Sequence, residues 1–129
     1  MLNRCIIMGR LTRSPELRRT QSGKAVTSVA LAVDRDFKGQ NGEKETDFID
    51  IVAWGNTAEF LCNYFTKGRM AVAEGRLQIR DWTDKDGGKR RSAEIVAERV
   101  YFADSKRDQE AAAPQAFEEL DEDDGDLPF

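Results

Sequence analysis

Histidine is absent from all 129 residues. Without imidazole there is no Ser-His or Cys-His nucleophile pair, no His-ligated zinc and no imidazole acid-base chemistry. Cysteine is nearly absent. Cys5 and Cys62 are too few and too far apart for a thiolate metal cluster, and read as two free thiols in a reducing compartment. No apolar run nears the roughly 18 residues that a membrane-spanning helix needs, and no signal-peptide pattern opens the chain. The expectation is a soluble cytoplasmic protein with no membrane association, no cofactor, no metal and no catalytic residue. What is present suffices for one folded domain: 40% hydrophobic residues alongside 34% charged ones.

The net charge of −4 conceals a division. All 20 Lys and Arg lie within residues 1–107, together with 15 of the 24 acids, a net charge of +5. Residues 108–129 carry the other nine acids and no base. A basic body with an acidic tail suggests nucleic-acid binding by the body and an interaction role for the tail. The tail has too few apolar residues to bury a core and reads as disordered. Its last residues, Asp123, Asp124, Gly125, Asp126, Leu127, Pro128 and Phe129, set an apolar pair and a stiff Pro among carboxylates. A solubilising tail has no use for such a Phe. A peptide that docks into an apolar pocket with a basic rim does.

Within the body, strands are expected at 2–11, 25–33, 46–54, 70–82 and 92–102. Their signals are β-branched and aliphatic runs, period-two alternation, and turn residues at Gln21-Ser22-Gly23, Gly39-Gln40-Asn41-Gly42 and Asp86-Gly87-Gly88. Gly75 marks a bend in the fourth strand. One helix follows the third strand, with Ala58, Leu61, Cys62 and Phe65 on one face, Asn56 and Glu59 as a capping box and Gly68 as the stop. The fold class is all-β with one helix: a five-stranded OB-fold barrel, residues 1–104, followed by a disordered linker and acidic tip, residues 105–129.

The third strand carries the clearest functional signal. Ile49, Ile51 and Ala53 share one face and suit the barrel interior. Phe48, Asp50, Val52 and Trp54 share the other. Two large aromatics opposite an aliphatic face are poorly explained by burial. Phe37 lies between Arg35 and Lys38, and Trp82 between Arg80 and Lys85. Interleaved aromatics and cations are what a single-stranded nucleic acid requires, because its unpaired bases stack and its phosphates need neutralising. Phe37, Phe48, Trp54 and Trp82 are therefore the candidate stacking platforms. Arg4, Arg10, Arg18, Lys24, Arg35, Lys38, Arg76 and Arg80 are the candidate phosphate contacts. Asp50 is out of place on such a face unless a nearby Arg pairs with it. An RNA-binding module, a protein scaffold and a carboxylate metal nuclease are the competing classes. The last is weakest, since Asp47 and Asp50 point to opposite faces of their strand.

These residues resemble the bacterial single-stranded DNA-binding proteins. The similarity is carried by Leu2-Asn3-Arg4, Gly9-Arg10-Leu11, Pro15-Glu16-Leu17-Arg18, Ala30-Leu31-Ala32-Val33, the Phe48-to-Trp54 strand, Tyr64-Phe65-Thr66-Lys67-Gly68, Glu74-Gly75-Arg76-Leu77, Trp82-Thr83-Asp84 and the Asp-Leu-Pro-Phe end. It covers residues 1 to about 104 and the last half-dozen. The resemblance implies an OB-fold homotetramer in the cytoplasm, associated with the nucleoid, that wraps single-stranded DNA in replication, recombination and repair. It places base stacking on the same four aromatics. It gives Asp123, Asp124, Asp126, Leu127, Pro128 and Phe129 the docking of replication and repair proteins.

Overall fold

A computed structural model describes residues 1–104. The elements are strands β1 (Cys5–Leu11), β2 (Arg18–Arg19), β3 (Ala25–Asp34), β4 (Thr46–Trp54), β5 (Met70–Thr83) and β6 (Lys89–Phe102), with one helix, α1 (Gly55–Tyr64), between β4 and β5. The sheet runs β1-β5-β6-β4-β3-β2, and a further β1–β3 pairing closes it. Closure leaves a five-stranded barrel with β2 as a two-residue addition on β3. The pairing is antiparallel except between β4 and β6, which run parallel.

The barrel closes because every long strand alternates. Val29 and Leu31 of β3, Ile51 and Ala53 of β4, Ala71 and Ala73 of β5, and Ile95, Ala97 and Val100 of β6 all point inward and are buried. Alanines at several of these positions suit a small barrel, whose interior has little room. Helix α1 covers one end with Ala58 and Leu61, and Phe65 follows it into the core at 1% exposure. Thr27 is also fully buried, and its hydroxyl donates to the Glu16 carbonyl at 2.8 Å, which offsets the cost of burying it.

The helix begins differently from the expected capping box. Trp54, still extended, occupies the cap position and makes no side-chain capping bond. Gly55 has φ +59, a left-handed conformation that glycine adopts without strain. It turns the chain directly from strand into helix, so Asn56 falls inside the first turn and cannot cap it. Gly68 does not end the helix either. The Phe65 N–H closes it on the Leu61 carbonyl, and Gly68 belongs to the turn before β5.

One irregularity shapes the sheet. Glu74 pairs with Arg99 but Gly75 pairs with Ala97, so β6 carries one extra residue, Glu98. This is a β-bulge, which bends the strand and shifts its alternation by one. Beyond it Arg99 and Tyr101 point outward; before it Arg90, Ser92, Glu94 and Val96 do.

Candidate nucleic-acid interface

The outward side chains of β3, β4, β5 and β6 form a continuous surface whose layout follows from strand register. Arg10 lies beside Ala32, which lies beside Phe48. Gln78, Glu94, Asp50 and Ala30 form a second cross-strand row, and Arg76, Val96, Val52 and Ser28 a third. Arg18, Val26 and Trp54 form a fourth. Small residues on β3 leave the two rings of β4 standing proud. Phe48 is 67% exposed and Trp54 42%. An isolated protomer thus leaves two large aromatics in water on one flat face, with arginines at its margins.

Two arms extend this surface. The segment between β3 and β4 carries Phe37, 83% exposed. It is braced by hydrogen bonds from Arg35 to both Asp47 oxygens at 2.9–3.2 Å. The other arm is the outer end of the β5–β6 hairpin, where Trp82 pairs with Arg90 and is 42% exposed. The Trp82 indole N–H donates to the Ser92 hydroxyl at 2.8 Å, which fixes the ring's orientation while one face stays open. An open cleft of about 540 Å³ lies between Trp82 and Lys89, Arg90 and Arg91. The arm's turn is tied by Asp84, which accepts from the Gly88 N–H at 2.7 Å and from Arg90 at 2.9 Å. The Arg90 bond first, then that from Gly88, holds the Asp84 carboxyl below the ordinary carboxylate range. The tie is therefore complete above that range and is lost only as pH falls through the lowered value.

The candidate cations divide into two sets. Arg10, Arg18, Lys24, Lys38 and Arg76 have no carboxylate partner among the described residues, and the Lys24 ammonium lies 6.0 Å from the centre of the Trp54 ring. Arg4, Arg35 and Arg80 are engaged. Arg4 bridges Glu74 at 3.1 Å and Glu98 at 2.8 Å. Arg35 holds Asp47 and Glu45. Arg80 holds Glu94 at 3.2 Å. Arg4 also stands away from the aromatic face, at the start of β1. Sequence reading did not single out Ser92, the partner of Trp82, or Glu94, a carboxylate only 7% exposed. The outward parity they share with Val96 was the available signal. Among the described residues no group of three or more His, Cys, Asp or Glu could hold a metal ion, and no helix is long and apolar enough to cross a membrane.

Residues 2–103, the barrel with both arms, match the profile of the Single-strand binding protein family. The chain belongs to the single-strand binding protein family. Among curated relatives in the family, Single-stranded DNA-binding protein 2 of Listeria monocytogenes is 47% identical over 106 residues, 82% of this chain and 66% of that protein. The single-stranded DNA-binding protein of Halalkalibacterium halodurans is 45% identical over 109 residues, covering 84% and 65%. Single-stranded DNA-binding protein 1 of Staphylococcus aureus strain MSSA476 is 47% identical over 106 residues, covering 82% and 68%. The alignments thus span about two thirds of these relatives. The acidic residues Asp123, Asp124 and Asp126, with Leu127, Pro128 and Phe129, lie outside both the family match and the described residues.

Proposed function

We propose that this protein binds single-stranded DNA with little regard to sequence, stacking bases on Phe37, Phe48, Trp54 and Trp82 and neutralising phosphates with the arginines and lysines around them. The observation that carries this reading is the exposure of Phe48 and Trp54 on one face, flanked in register by Arg10 and Arg18. The names of the curated relatives point the same way. Residues 1–104 form the binding domain and residues 105–129 a linker and tip. Through Asp123, Asp124, Asp126, Leu127, Pro128 and Phe129, the tip recruits replication, recombination and repair proteins in the bacterial cytoplasm, at the nucleoid. The working unit is a homotetramer. Support for assembly comes from the other outward surface, where Ile6 and Met8 of β1 and Tyr101 of β6 are 67%, 55% and 45% exposed, an apolar patch of the kind that partners cover.

Titration of intrinsic Trp fluorescence with oligo-dT at several salt concentrations tests the binding reading. Strong quenching is expected, because a base stacked on Trp54 or Trp82 changes the indole's surroundings. With phosphates contacted by the five candidate cations that have no carboxylate partner among the described residues, log affinity should fall against log salt with a slope of about −3 to −4 per protomer, at about −0.7 for each phosphate contacted. Binding should persist in part at high salt, because stacking is not screened. Weak quenching, with affinity that vanishes as salt rises, would leave only a charged surface.

The tip has its own test. Removing Leu127, Pro128 and Phe129 should leave oligo-dT affinity within about twofold, since the stacking platforms and the basic face are untouched, while capture of replication and repair proteins on immobilised protein is lost. Capture that survives the deletion would refute the recruitment role.

A further inference from the structure

Asp50 stands where a phosphate-binding face has least use for it. It is exposed on β4, two residues from Phe48 and four from Trp54, or about 7 Å and about 13 Å from them along an extended strand. Its neighbour on β3 is Ala30, whose methyl group offers no hydrogen bond. Its neighbour on β6 is Glu94, another carboxylate. Glu94 takes the nearby donors for itself, Arg80 at 3.2 Å and Gln78 at 3.4 Å. Among the described residues Asp50 has no ion-pair partner and no side-chain hydrogen bond. Of the two adjacent carboxylates only Glu94 therefore has a guanidinium, and the middle of a basic face carries an uncompensated negative charge.

That charge opposes phosphate, yet it sits between the two platforms that would hold bases. A base stacked on Phe48 extends its edge along the strand toward Asp50. An ionised carboxylate only accepts hydrogen bonds, so it favours an edge rich in donors. Cytosine presents a 4-amino group there, and a carboxylate side chain is its usual acceptor. Thymine presents a carbonyl at the same position, and its one N–H lies between two carbonyl oxygens that repel a carboxylate. We propose that Asp50 is a base-discriminating residue, accepting a hydrogen bond from the exocyclic amino group of a base stacked on Phe48 and disfavouring thymine there. The inference rests on the stacking role given to this face. It adds a preference at one position to binding that is otherwise tolerant of sequence, since the aromatic platforms supply most of the affinity.

Cytosine and thymine are similar in size and stacking surface, so comparing them isolates the edge contact. The full-length chain is titrated with oligo-dC and oligo-dT of equal length, followed by Trp fluorescence, slightly above neutral pH so that cytosine is unprotonated. In Asp50→Ala the affinity for oligo-dT should rise relative to oligo-dC. The preference for dC over dT should shift toward dT by about fivefold, the low end of what one base-edge contact discriminates. Asp50→Asn, which loses the charge but keeps an acceptor oxygen, should retain part of the preference. If Asp50→Ala strengthens both oligomers equally, Asp50 merely repels phosphate and the proposal is wrong, although the stacking reading stands. If neither oligomer quenches the wild-type protein, the stacking reading fails and the discrimination fails with it.

Discussion

Replacing Phe48 and Trp54 together by Ala should weaken oligo-dT binding by roughly 2–6 kcal/mol, the loss of two stacking platforms at about 1–3 kcal/mol each. Even the lower figure is about thirtyfold in Kd. The fold should survive, because neither ring belongs to the buried core and the Trp54 side chain makes no capping bond for α1. The β4 backbone pairs with β3 and β6 whatever its outward side chains are. Anisotropy of a labelled oligo-dT at fixed salt measures the loss, and a thermal melt checks the fold. A weakening of less than threefold in a protein that melts normally would show that these rings are not platforms. Affinity left in the double variant should be steeply salt-dependent, since phosphate neutralisation then carries more of it.

Gly75→Ala should act on the other side of the sheet, on stability. A Cβ at Gly75 would overlap the Val96 carbonyl oxygen and lie 2.8 Å from the carbonyl carbon and 3.0 Å from the Ala97 Cα. These are backbone atoms, with no flexible side-chain end to swing aside. Val96 cannot retreat easily, because β6 is held on its other edge by β4, with Val52 opposite Val96. The expected cost is about 3 kcal/mol, the upper end for overpacking a tight interior. In a domain of about 100 residues this lowers Tm by roughly 12–24 °C. A change under about 3 °C would mean that the bulge beside Gly75 absorbs the methyl group.

The parts of the fold that sequence made legible are those with a local cause. Strand β4 runs Thr46–Trp54 as expected, because its aliphatic and aromatic residues alternate without interruption. The turns at Gly23 and Gly87 have φ +87 and +85 and sit where glycine invited them. Strand β2 was not legible. Two arginines have no periodicity, and only pairing with Val26 and Ala25 makes them a strand. The extra residue at Glu98 was hidden too, since the whole of β6 reads as one extended run and a bulge shows only against the partner strand.

The site divides the same way. Phe37 and Trp82 stood out by their charged neighbours in sequence, and Phe48 and Trp54 by lying opposite the aliphatic face of their strand. The structure leaves all four exposed, two on β4 and one on each arm. Which arginines are already occupied could not be seen. Arg4 meets Glu74 and Glu98 across 70 and 94 residues of chain, and Arg80 meets Glu94 across 14. Such pairings are products of register, and register is set by the closed barrel rather than by any local pattern. Asp50 was legible as a misfit. Its isolation emerged only when Glu94 was found beside it, holding the available guanidinium.

The extra residue of β6 also governs how substitutions will be tolerated along that strand. On its N-terminal side, even-numbered positions from Arg90 to Val96 look onto the aromatic surface, while on its C-terminal side Arg99 and Tyr101 look onto the apolar patch with Ile6 and Met8. A library that randomises every second residue of β6 would change character part-way along, sampling ligand contacts up to Val96 and core packing at Val100. Removing Glu98 would make Arg99 follow Ala97 in ordinary alternation, leaving Arg99 and Tyr101 outward and Val100 inward.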